Sequence, residues 1–123
     1  MKLLTFGGFL RYKRREYGYK LKCVAERLGI TPEYLGEMEK DRKTNPSGDI
    51  LTGLIRFFEL NEEETALFYD LHAKANGIVS KDISDYIMEK GIIRKAIRAA
   101  KEKSAPNAEW KDFIKRINKT KKD

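Results

Sequence analysis

The chain has 123 residues but only one cysteine, Cys23, and one histidine, His72. A single cysteine cannot form an internal disulfide, which fits a reducing cytoplasm. A lone histidine, with no second histidine, cysteine or carboxylate at ligand spacing, argues against a metal site. Cys23 is expected to be a small, half-buried residue rather than a reactive thiol. No Gly-rich phosphate loop, nucleophile elbow or paired metal motif occurs, so no enzyme and no cofactor are expected. The N-terminus MKLLTFGGFLRYKRR lacks an apolar stretch of signal-peptide length, and no run approaches a membrane span. Strand alternation, repeats and low-complexity tracts are also missing. These absences leave an all-α protein that works by binding, without a membrane and in the cytoplasm.

What the chain does have is positive charge, unevenly placed. The net charge is +7. Residues 1–22 hold seven Lys/Arg against Glu16, giving +6; residues 23–77 carry −5 and residues 78–123 carry +6. A basic balance favours nucleic acid or an anionic surface as partner and says nothing about fold.

The organising stretch is Leu21 to Asp41, LKCVAERLGITPEYLGEMEKD. Apolar residues fall at Leu21, Val24, Ala25 and Leu28, then at Ile30, Tyr34, Leu35 and Met38. Each half has the spacing of one helix face. Gly29 sits where the first helix must stop. Thr31 offers an N-cap hydroxyl, and Pro32 stands at the first helical position, where its missing N–H costs nothing. Ala25 is small enough for a second helix to cross closely. Two short helices around a tight turn form a helix-turn-helix, whose second helix can enter a DNA major groove.

The flanks predict more helices. Thr5 can cap a helix over about 6–17, with Gly18 ending it and Tyr19 packing inward. Asn45, Pro46 and Gly48 break the chain before a helix over about 49–59, with Ile50, Leu51, Leu54, Ile55 and Phe58 buried. Asn61 caps a fifth helix to about Lys74. Glu62, Glu63 and Glu64 suit the positive end of its dipole, so this acidic cluster is not read as a metal site. Leu67, Phe68 and Leu71 form its apolar stripe, and Asn76-Gly77 stops it. From Ile78 the composition shifts. Ser80 can cap a helix through Lys90. A second follows over 92–103, and Asn107 caps a last one bearing Trp110, Phe113, Ile114 and Ile117.

The pieces FGGFLRYKRREYGYK, VAERLGITPEYLGEMEKDRKTNP and ILTGLIRFFELNEEE together resemble the Cro/phage-repressor-type helix-turn-helix family, also called the xenobiotic-response-element family. The resemblance runs from Phe6 to about Glu64, roughly half the chain. It implies a lambda-repressor-like five-helix domain over 1–77 that binds double-stranded operator DNA, usually as a homodimer and acting as a transcriptional repressor. Residues 78–118 would be a helical extension, and 119–123 a frayed basic tail. In the resembled family an arginine at the place of Arg14 pairs with a glutamate late in the recognition helix, here Glu39. Lys20 and Lys22 begin the second helix, and Lys40, Arg42 and Lys43 follow the third. By resemblance these two places grip phosphates on either side of the recognition helix. The family often has glutamine where this chain has Leu21, which removes one phosphate hydrogen bond.

Specificity is expected from Thr31, Pro32, Glu33, Gly36 and Glu37 on the face of residues 32–39. Glu33 and Glu37 can accept from cytosine N4, and Thr31 and Pro32 can touch a thymine methyl. That face carries no Arg, Lys, Gln or Asn. Tyr34 is either core or a phosphate contact through its hydroxyl. The extension admits two readings. Its aromatic stripe can pack or dimerise, or its Arg94, Lys95, Arg98, Lys101 and Lys103 can form a basic nucleic-acid surface. An alternative function is an antitoxin-like or mobile-element accessory protein whose residues 78–118 bind a protein partner.

Overall fold

The computed structural model describes residues 4–120, apart from the side chain of Lys81. Within them the chain forms eight helices and no strand. They are α1 (Phe6–Glu16), α2 (Leu21–Leu28), α3 (Pro32–Glu39), α4 (Gly48–Phe57), α5 (Glu62–Asn76), α6 (Lys81–Glu89), α7 (Gly91–Glu102) and α8 (Asn107–Thr120). The chain divides into two compact units, Met1–Ser80 and Lys81–Asp123. The division lies slightly beyond the composition shift, because Gly77 takes a left-handed conformation and the Ile78 N–H donates back to the Ala73 carbonyl at 3.0 Å.

In the first unit every helix contributes to one core. Phe6, Phe9 and Leu10 of α1 meet Val24 and Ala25 of α2, Leu35 and Met38 of α3, Leu51 and Leu54 of α4, Phe58, and Phe68 of α5. The helix ends follow from local chemistry. The Thr5 hydroxyl accepts from the Gly8 N–H, and the Ser47 hydroxyl from the Ile50 N–H. Asn61 and Glu64 form a reciprocal capping box.

Several expectations change. Ile50 and Ile55 are only half-buried. Leu67 is exposed, and the buried face of α5 runs through Phe68, His72 and Ala73 instead. His72 is a core histidine whose ring meets Phe6 edge-on at 5.5 Å. Tyr17 is largely exposed, yet its hydroxyl donates to the Phe58 carbonyl at 2.9 Å. Tyr19 is also exposed, with its ring against Phe57.

Two contacts close the unit. Gly7 presses on the end of α3: a Cβ there would overlap the Met38 carbonyl oxygen and lie 2.6 Å from that of Glu39. Lys13 is buried on the apolar stripe and bonds to Glu64 at 2.5 Å and Glu16 at 3.1 Å. The Lys13 ammonium, together with the Asn61 N–H, holds the Glu64 carboxyl below the usual glutamate range. Hydrogen bonding to Glu64 in turn raises Lys13.

The second unit is different. No described side chain from Asp82 to Thr120 is buried. Ser80, expected to cap α6, has a buried hydroxyl with no hydrogen-bond partner among the described residues. At the opposite, C-terminal end of α6, Arg94 donates to the Ile87 and Met88 carbonyls at 3.0 and 2.7 Å. Of the tail, residues 119–120 are helical, and 121–123 lie outside the described residues.

Gly7→Ala is expected to destabilise the protein by about 1–3 kcal/mol in urea denaturation, because backbone rather than a mobile side chain must move. Stability should also fall with acid in two steps. His72 is lowered by burial, so below about pH 6.5 the unfolded chain takes that proton first. Glu64 is lowered too, so its contribution is full above about pH 4.3 and is lost as pH falls through its folded value. His72→Phe should flatten the first step and Glu64→Gln the second in melting curves taken across pH.

Candidate nucleic-acid interface

The interface begins at the turn between α2 and α3. Gly29 adopts φ 71°, ψ 29°, and the Ile30 N–H returns to the Ala25 carbonyl at 3.0 Å. That reversal lets α3 start two residues later. The Thr31 hydroxyl accepts from the Tyr34 N–H at 3.0 Å, and Pro32 opens the helix. Leu35, Met38 and Glu39 face inward. Thr31, Glu33 and Lys40 are exposed, and Pro32, Gly36 and Glu37 are half-exposed. Spaced three or four apart, Glu33, Gly36, Glu37 and Lys40 form one strip along the outer side of α3.

The inner side of α3 is tied down by charge. Arg14 donates through Nε and Nη2 to both oxygens of Glu39, at 2.7 and 2.9 Å, and through Nη1 to the Tyr19 carbonyl at 3.1 Å. Hydrogen bonding to Glu39 raises Arg14 above its ordinary value. Arg11 adds a looser contact with Glu39 at 3.7 Å. One residue beyond the helix cap, Asp41 takes a left-handed backbone at φ 61°. Its carboxylate accepts from the Gly7 N–H at 2.8 Å and from the Thr5 hydroxyl at 2.7 Å. A carboxylate on first-turn N–H groups is favoured by the helix dipole. The end of α3 is therefore held along α1, by Arg14 on one side and by the start of α1 on the other.

Sequence reasoning missed Asp41, Arg11, Gly7 and the Lys13–Glu64 pair. Asp41 stood in a polar turn and reads there as a turn residue. Its partner lies 34 positions away. Lys13 had a signal: it falls three residues after Leu10, on the apolar face of α1.

The cations singled out from the sequence lie at the start of α2 and just after α3. Lys20 is the N-cap residue of α2 and makes no side-chain capping hydrogen bond. Lys20 and Lys22 are exposed. Cys23 is exposed too, not half-buried, because only Val24 and Ala25 of α2 reach the core. After α3, the N–H groups of Arg42 and Lys43 both donate to the Glu37 carbonyl, at 2.9 and 3.3 Å. The Arg42 guanidinium also lies 3.4 Å from the Glu37 carboxylate. Asn76 of α5 donates to the Thr44 carbonyl at 2.7 Å and so anchors the following loop. Leu21 is half-buried and borders Gly36, 3.6 Å from where a Cβ would lie. Tyr34 is half-buried and packs against the core.

Among the described residues no group of His, Cys, Asp and Glu is placed to hold a metal ion. No helix there is long and apolar enough to cross a membrane.

The sequence pattern of the helix-turn-helix family matches residues 10–64. No curated protein matches the chain. A solved complex of SinR protein with SinI protein aligns at 19% identity and a TM-score of 0.45, covering 95% of this chain and 98% of that one. A likeness of that level leaves the site to stand on its own geometry.

Losing either member of the Arg14–Glu39 pair strands a charge, at a cost of about 3–5 kcal/mol. Arg14→Leu and Glu39→Gln should each destabilise to that extent in urea. Combined with Glu39→Met, Arg14→Leu should recover most of the loss. Independent effects of the two changes would show that the pair is not coupled.

Proposed function

We propose, from the premise that residues 10–64 are a Cro/C1-type helix-turn-helix domain of a DNA-binding transcriptional regulator, that the chain is a cytoplasmic repressor binding a two-fold operator as a homodimer. The observation that carries this reading is the outer strip of α3, solvent-accessible, with exposed Lys40 at its end and Arg42 and Lys43 in the turn just beyond it.

In this reading α3 enters the major groove. Lys20 and Lys22 hold phosphates on one side, and Lys40, Arg42 and Lys43 hold them on the other, with the Tyr34 hydroxyl near the backbone. Thr31, Pro32, Glu33, Gly36 and Glu37 meet the base edges. Glu33 and Glu37 suit cytosine amino groups, and Thr31 and Pro32 suit a thymine methyl. Repulsion between these carboxylates and phosphate disfavours random DNA. The pairing of Arg42 with Glu37 moderates that repulsion at one end of the strip. Repression follows by occlusion of polymerase.

A second reading draws on the unburied second unit: residues 78–118 bind another protein, as in an antitoxin or a mobile-element accessory protein. A stoichiometric partner that stays bound through purification of the complex from its own host would favour it.

Selection from random duplexes should return a palindrome with half-sites about one helical turn, 34–36 Å, apart. Recovery of no preferred sequence at moderate salt would overturn the reading. Lys43→Gln should weaken binding to all sequences alike and reduce the salt slope by about 1. Glu33→Gln should instead shift the preferred base at one position of each half-site.

A further inference from the structure

The outer strip of α3 has one place without a side chain. Glu33, Gly36, Glu37 and Lys40 follow one another along it, and all but Gly36 carry a charge. Outside its own helix, a Cβ at Gly36 would meet one atom within 4 Å, the Leu21 Cδ2 methyl at 3.6 Å. The space over the glycine is open on its other sides. Leu21 opens α2 and is half-buried, with part of its surface on the core and part in water. The two residues make a shallow apolar notch in an acidic strip. Bare backbone is its floor and a leucine methyl is one wall.

The fold does not require this glycine. Gly36 lies inside a helix, and its φ is not among the positive ones. An alanine there would make an ordinary van der Waals contact with Leu21, and glycine is a poor helix former. A glycine kept against helix propensity, with no crowding behind it, admits close approach from outside. On the reading that α3 lies in the major groove, what approaches is the edge of a base. Base edges there present donors, acceptors and one apolar group, the C5 methyl of a pyrimidine. A donor or acceptor set against Leu21 would lose its water without gaining a partner. A methyl loses nothing and gains contact.

We infer that Leu21 and Gly36 together receive a pyrimidine C5 methyl group in each half-site, which makes Leu21, a residue of α2, a specificity determinant beside α3. This rests on the DNA reading above and deepens it. Thymine is one source of the methyl. 5-Methylcytosine is the other, and it also carries an N4 amino group for Glu33 or Glu37. Thr31 and Pro32, at the start of α3, are a separate place of contact.

The test uses the duplex recovered by selection and the full chain. Thymines are replaced by deoxyuridine, and cytosines by 5-methylcytosine, one symmetric pair of positions at a time. At one position, losing the thymine methyl should weaken binding about fourfold per half-site, the worth of one buried methyl. Where cytosine stands at that position, methylation should strengthen binding by the same factor. Gly36→Ala fills the notch with a methyl of the protein and keeps the fold. It should bind the duplex without the base methyl at least as tightly as the duplex with it. Leu21→Ala removes the wall and should bring the ratio of the two affinities close to one. Loss of folded protein lowers both affinities alike and leaves their ratio unchanged, so a purely structural role would produce neither result. A selected sequence indifferent to methyl at every position, or a methyl effect that persists in either variant, would overturn the inference and leave the DNA reading standing. Recovery of no preferred sequence overturns both.

Discussion

The first unit depends on a buried carboxylate. Glu39 is almost wholly withdrawn from water at the end of α3, and such a charge is tolerated only when its hydrogen bonds are satisfied. Arg14 satisfies both oxygens in a fork geometry that a lysine could not reproduce. The constraint is directional: with Glu39 engaged, α3 has one rotation about its own axis. That rotation is what turns Glu33, Gly36 and Glu37 outward. Asp41 fixes the same helix end a second time by capping α1, and Gly7 lets the two elements approach at backbone distance. The orientation of the outer strip is thus set by charges paired between α1 and the end of α3, with Glu39 buried among them.

The outer strip itself is unusual chemistry for a DNA reader. On the proposed reading its acids oppose phosphate, so affinity has to come from the borders. There the chain places exposed lysines at a helix start without a side-chain cap and a tethered Arg42–Lys43 turn. Separating attraction from discrimination has a consequence on the proposed reading. Cations at the edges give long-range, salt-sensitive attraction to any duplex, while the acidic centre penalises those that offer no amino group. Poor general affinity per domain makes a second domain on the same site more important.

The two units use charge in opposite ways. In the first, the buried charges Lys13 and Glu39 are paired, with half-exposed Glu64 and with Arg14, and these pairs set helix positions. In the second, no pair among the described residues is buried. Arg94 caps a neighbouring helix, Arg116 and Asp112 pair on the surface, and Trp110, Phe113, Ile114 and Ile117 stay exposed.

Much of this was legible in the residues alone. The helix-turn-helix came from local rules: the spacing of Leu21 to Met38, the left-handed Gly29, the Thr31 cap and the Pro32 start each act within a few positions. The all-helical class and the Asn61 cap followed in the same way. What only the tertiary structure decided was which of several possible faces each helix buries. Leu67 and His72 exchanged roles on α5 because the facing surface is the Phe6 ring of α1, and periodicity alone does not fix that rotation. Asp41 as the cap of α1 and Lys13 as a buried cation were out of reach for a related reason. Their partners lie tens of residues away, and a carboxylate or an ammonium in sequence looks the same whether it meets water or its counter-ion in the core.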